Sequence, residues 1–112
     1  METTGWTDRI RSFAEEREWQ QFHTPKNLVM ALSVEASELV EIFQWLTAEE
    51  SATIMSTERG QAVRDEVADV MTYLLRFADV LDIDLDAAMA AKIEASAQRY
   101  TVEHSKGSAA KR

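Results

Sequence analysis

Cysteine is absent from the 112 residues, so disulfides, thiolate-zinc sites and thiol catalysis are excluded. Proline occurs once and glycine three times, too few of the turn residues that a β-sandwich needs. No apolar run exceeds five residues, as at Leu28–Leu32, whereas a bilayer-spanning helix needs about 20. Met1–Arg11 lacks the apolar segment of a signal peptide, so the expectation is a cytoplasmic chain with no membrane partner. Basic residues are also scarce. Twelve against twenty acidic ones give a formal net charge of −8, which argues against a nucleic-acid partner. The one basic cluster, Lys106, Lys111 and Arg112, lies in a tail of small residues, read as a flexible end over about 106–112.

Helix formers dominate what remains. Ala supplies 16 of the 51 apolar residues, while Val and Ile together supply 13. The length suits one domain, 1–112. A first helix is expected over Thr7–Phe22, ended by His23-Thr24-Pro25, where Thr24 can cap and Pro25 can open the next helix. That second helix should run from about Lys26 to Leu46. Thr47-Ala-Glu-Glu50 has the form of a capping box and predicts a short helix near Ala48–Met55. Two more helices are expected, Gln61–Leu81 and Leu85–Tyr100, the latter capped by Asp82 or Asp84. The fold class is all-α, a four-helix bundle. Val29, Val40, Met71 and Leu75 are read as lying outside the acid-bearing faces described next, so a homodimer or homotetramer is expected to cover them.

The second and third long helices carry carboxylates where core residues belong. At about 100° per residue, Leu28, Leu32, Leu39, Ile42 and Leu46 lie within about 60° of Glu35, with Glu38 at the edge of that stripe. Around Glu66 cluster Val63, Val70, Phe77, Val80 and Leu81, with Asp69 as the flanking acid. If the two faces pack together, four carboxylates converge, and buried like charges cost several kcal/mol each, on the order of what a small domain can tolerate. Either arginines neutralise them, with Arg59, Arg64 or Arg76 reaching in, or a cation does. Two matched pairs on separate helices favour the cation. No His lies three or four residues from any of the four acids, which disfavours zinc and the Glu-x-x-His di-iron pattern. An all-oxygen set suits Mg²⁺, with Mn²⁺ as a substitute, and such ions commonly bind phosphates jointly with the protein. Glu41, one turn beyond Glu38, is either a base beside the site or a solvated surface residue. Trp45, about 80° from Glu35, is placed either to stack on a base or simply to pack.

Glu35-Ala-Ser-Glu38-Leu-Val-Glu41-Ile-Phe-Gln-Trp45 and Glu66-Val-Ala-Asp69-Val-Met-Thr-Tyr73 together resemble the all-α nucleoside triphosphate pyrophosphohydrolases of MazG type. Trp19-Gln-Gln-Phe22-His23-Thr-Pro25-Lys-Asn27-Leu resembles the dCTP pyrophosphatase branch of that family, as do Lys92 and Arg99-Tyr100. The resemblance implies hydrolysis of a nucleoside triphosphate to monophosphate and pyrophosphate, with Mg²⁺ held by Glu35, Glu38, Glu66 and Asp69. It implies that Trp19 and Trp45 enclose the base, that Tyr73 lies against the substrate and that Lys92 contacts phosphates. Arg99 is a further phosphate candidate, and Glu38 or Glu41 the group that orients the attacking water. Two positions depart from the pattern: Ser96 stands where Asn is usual, and Ile10 near where some relatives carry His. The preferred base is therefore left open. The reading from a different class is a non-catalytic helical dimerisation or metal-binding module.

Overall fold

A computed structural model describes residues 2–112; Met1, the first position of the Met1–Arg11 stretch and of the expected domain, lies outside them. Among the described residues there are helices and no strands: α1 (Thr3–Glu16), α2 (Pro25–Phe43), α3 (Ala48–Ala52), a 3-10 turn (Ile54–Ser56), α4 (Gly60–Val80), α5 (Leu85–Arg99) and α6 (Val102–Ser105). No helix among them is long and apolar enough to cross a membrane. The chain divides into two compact units, Met1–Asp82 and Ile83–Arg112.

In the first unit α4 packs along α2 and also against α1. The interior is small. Ala14, Leu28, Ile54, Leu75 and Ala78 are its buried apolar residues, Leu28 being only 1% exposed. Leu75 thus belongs to this interior rather than to an outer face, a correction to the sequence reading; Val29 and Val40 do lie exposed.

Local signals set most boundaries. The Thr24 hydroxyl accepts from the Asn27 amide at 3.2 Å, and Pro25 occupies the first turn, where its missing N–H breaks no bond. The capping box forms in both directions, Thr47 N to Glu50 Oε1 at 2.9 Å and Glu50 N to Thr47 Oγ1 at 3.1 Å. Asp84, not Asp82, caps α5 by accepting from the Ala87 amide.

Two helices end before their expected limits. α1 stops at Glu16, six residues short, because Glu18 adopts a left-handed conformation (φ 54°). The Glu18 amide then bonds the Glu15 carbonyl at 3.0 Å and the Trp19 amide the Ala14 carbonyl at 2.9 Å, the paired bonds of a Schellman turn. Trp19 closes the turn edge-on against Phe13, with ring centroids 5.7 Å apart. α2 stops at Phe43, since Thr47 must be extended (φ −73°, ψ 165°) to cap α3, and the chain has to leave the helix before it. The short helix expected over Ala48–Met55 breaks at Thr53 into α3 and the 3-10 turn.

A polar network locks α1 to α4. Arg11 grips Asp79 with two bonds, Nε to Oδ2 at 2.8 Å and NH2 to Oδ1 at 2.6 Å. Arg76, 6% exposed, gives Asp79 a third bond at 3.1 Å and donates from Nε to His23 Nδ1 at 3.1 Å. Bonding to Arg11 and then the charges around it hold the Asp79 carboxyl below its usual range. Burial, aided by Arg76, keeps the His23 imidazole neutral to lower pH than usual, as an acceptor at Nδ1 must be. Asp79→Asn leaves the Arg76 charge buried without its counter-ion. We expect a loss of about 3 kcal/mol in urea denaturation, with the helical circular dichroism of the folded state unchanged.

In the second unit, Thr101 caps α6 by accepting from the His104 amide, and the Arg112 amide donates to the Tyr100 hydroxyl at 3.0 Å.

Candidate active site

The acid stripes meet where α2 packs on α4. Glu35 and Glu38, one turn apart on α2, and Glu66 on α4 each present a carboxylate oxygen such that all three lie within 4.8 Å of one another. Glu35 Oε2 and Glu66 Oε2 are buried with no hydrogen-bond partner. Among the described residues, none of the three acids forms an ion pair within 4.0 Å. The arginine-neutralised alternative therefore finds no support: Arg76 is committed to Asp79 and His23, and Arg59 bonds the Ile42 carbonyl at 3.4 Å.

Charge accumulates here without compensation. Burial, followed by the Glu38 and Glu66 carboxyls, pushes Glu35 up to about 7, and Asp69 adds to the effect. Glu66 is raised as well, first by burial and then by Glu38 and Asp69. A cluster of oxygen donors with two orphaned buried oxygens fits a hard divalent cation, which would supply the missing partners and remove the repulsion together. The site can hold a metal ion.

The other expected residues fall at varied distances from this centre. Asp69 is exposed on α4, outside the group of three but close enough to act on Glu35 and Glu66 by charge. Glu41 is exposed and lines a cavity of about 370 Å³ together with Glu38, Ile42, Arg59, Ala62 and Glu66. Tyr73 is half-buried two turns beyond Glu66. Trp45 lies past the end of α2, 86% exposed, rather than on the helical face expected for it. Trp19, 42% exposed, stands edge-on to both Phe13 and His23. Lys92 and Arg99 are exposed on α5 of the second unit, where the Arg99 guanidinium lies 5.6 Å from the Tyr100 ring centroid. Sequence reasoning gave His23 to the turn, and it did not foresee the Arg76 bond beneath it. No periodicity signals a bond between a helix residue and a loop 53 positions away.

Comparison with known proteins places the chain in a family. The chain matches the MazG-like family over residues 30–111, and it belongs to that family. It is 42% identical to dCTP pyrophosphatase 1 of Rattus norvegicus over 100 residues, covering 88% of this chain and 59% of the relative. Identity to dCTP pyrophosphatase 1 of Homo sapiens is 38% over the same length and coverage. The chain thus spans 59% of the length of the curated relatives it matches. A crystal structure of a pyrophosphatase from Archaeoglobus fulgidus superposes with a TM-score of 0.78 at 39% identity, covering 84% of this chain and 87% of that one.

The raised Glu35 has a measurable consequence. In the metal-free protein its stabilising contribution is complete below the unfolded value of about 4.5 and is lost as pH rises through about 7. Glu35→Gln should therefore raise the metal-free thermal midpoint by several degrees at pH 8 and hardly change it near pH 4.5. Millimolar Mg²⁺ should raise the wild-type midpoint at pH 8 and leave most of that shift absent in Glu35→Gln. Differential scanning fluorimetry across pH, with and without Mg²⁺, reads both effects.

Proposed function

We propose that this chain hydrolyses a nucleoside triphosphate, dCTP or a related pyrimidine nucleotide, to the monophosphate and pyrophosphate. The observation that carries the reading is the meeting of Glu35, Glu38 and Glu66, with unpartnered buried oxygens, in a MazG-like chain. The names of its relatives support dCTP as substrate and the α–β phosphate bond as the one broken.

Glu35, Glu38 and Glu66 would hold Mg²⁺, with Asp69 joining from its place one turn beyond Glu66. Bound there, the ion's chemistry is to offset phosphate charge and lower the pKa of a nearby water. The protein's own groups supply the remainder. Glu38 or Glu41 orients the water and takes its proton as oxygen attacks the α-phosphorus; the bond to the α,β-bridging oxygen breaks, and pyrophosphate departs. Trp19 and Trp45 enclose the base, and Tyr73 lies against the substrate. Lys92 and Arg99 take the β- and γ-phosphates. A cytoplasmic setting fits an enzyme of nucleotide pools.

One domain over 1–112 is part of the same proposal. The family match supports it by running across the boundary between the two compact units, and the proposed architecture of that domain is a four-helix bundle. Exposed Val29, Met30, Val34 and Val40 along α2 support a homodimer or homotetramer. Light scattering at micromolar concentration should report at least twice the 12.7 kDa chain mass.

The products test the reaction. With dCTP and Mg²⁺, chromatography should show dCMP and pyrophosphate; dCDP with orthophosphate would place the cut at the wrong bond. Turnover of no nucleotide would favour the binding-module alternative. Glu38→Gln should lower kcat by roughly 100-fold or more. Trp45→Ala should instead weaken substrate binding by about 1–3 kcal/mol, since stacking tolerates many bases.

A further inference from the structure

The cavity beside the acids has one basic residue on its wall. Arg59 lines it with Glu38, Glu41 and Glu66, immediately before the first turn of α4. Its main chain is fixed on both sides. The Arg59 amide donates to Thr57 Oγ1 at 3.2 Å, and the Gly60 amide to the Thr57 carbonyl at 3.1 Å. Gly60 is buried so tightly that a β-carbon there would lie 2.9 Å from the Met55 carbonyl oxygen. The guanidinium therefore projects from an immobile base.

Its bonding is unusually slight for a cation among carboxylates. Among the described residues it forms no ion pair within 4.0 Å, and its recorded side-chain bond is the long one from NH1 to the Ile42 carbonyl. Glu50, held below the usual carboxylate range first by its bonds to the Thr47 amide and hydroxyl and only lastly by the Arg59 charge, is already engaged. An arginine serving to neutralise the cluster would pair with it. Arg59 instead lines the same cavity as Glu38, Glu41 and Glu66 with most of its five N–H donors free for an incoming group. A fork of donors on the wall of the cavity that also carries two acids of the candidate metal cluster matches a phosphate chain, whose oxygens a cation and the guanidinium can share.

Resting on the proposed pyrophosphohydrolase reading, we infer that Arg59 is a phosphate-binding residue of unit Met1–Asp82, gripping the two distal phosphates that leave as pyrophosphate. It holds them on the acid-bearing unit itself, independently of Lys92 and Arg99 on the other.

Calorimetric titration of the full chain in Mg²⁺ with inorganic pyrophosphate tests this, with dCMP as the second ligand. Arg59→Ala should weaken pyrophosphate binding roughly tenfold and leave dCMP binding unchanged, as expected for loss of a charged bidentate contact. Arg59→Lys should recover part of the loss, supplying the charge without the fork. The Mg²⁺-induced shift in thermal midpoint should persist in both variants, and their metal-free midpoints should stay within about 3 °C of wild type, because the side chain is exposed and weakly bonded. Unchanged pyrophosphate affinity in Arg59→Ala overturns the inference. So does an equal loss for pyrophosphate and dCMP, a collapse of the Mg²⁺ shift, or a wild type that binds no pyrophosphate. If wild type converts dCTP to dCMP while Arg59→Ala binds pyrophosphate normally, this inference alone fails. If wild type turns over no nucleotide yet binds pyrophosphate through Arg59, the phosphate site stands and the reaction falls.

Discussion

Three carboxylates held against one another between α2 and α4 are the constraint to which the rest of the first unit answers. Each occupies a position that apolar packing would normally fill, and together they oppose the closure of the helices that carry them. The opposition is met away from the site. Arg11, Asp79, Arg76 and His23 bind α1 and the turn before α2 to the far half of α4, about three turns beyond Glu66. Gly60 lets the start of α4 sit against the 3-10 turn. The helix that presents Glu66 is thus secured at both ends, and the repulsion in its middle cannot simply open the interface.

Much of this was readable in the sequence because it follows from local rules. Thr24-Pro25, the Thr47–Glu50 box and the Asp84 cap mark helix starts through bonds made within three residues. Glu35 and Glu66 stood out since helical periodicity placed each inside an apolar stripe, and the packing of those stripes brought them together. The hidden parts have other causes. A left-handed turn normally announces itself through Gly, and at the end of α1 it falls on Glu18, so the helix seemed to continue. Trp45 looked helical because the Thr47–Glu50 box was read only as the start of α3, whereas its extended N-cap also makes the chain leave α2 before Trp45. Asp79 and Arg76 carry no periodic signal, and their role depends on Arg11 and His23 reaching them from distant parts of the chain.

The small interior bears on how firmly the site is held. Among the described residues, five apolar side chains are buried in the first unit, while valines and a methionine along α2 remain open. Stability on this scale is modest, and a cation among the acids or a surface laid over α2 would each add to an arrangement that stores electrostatic repulsion. Both additions would act on α2, the first through Glu35 and Glu38 and the second through the exposed side chains before and after them.

The Schellman turn after α1 separates a residue's location from its identity. Position 19 is set by main-chain bonds from the Glu18 and Trp19 amides, and these form whatever side chain follows. The indole adds an edge contact to Phe13 but does not determine where the chain turns. Mutational drift at this position can therefore exchange one flat ring for another, or for a hydrogen-bonding group, without disturbing the helix or the carboxylates. The main chain thus tolerates exchange of the residue at position 19, and the surface it forms with Phe13 can change its chemistry while the end of α1 keeps its geometry.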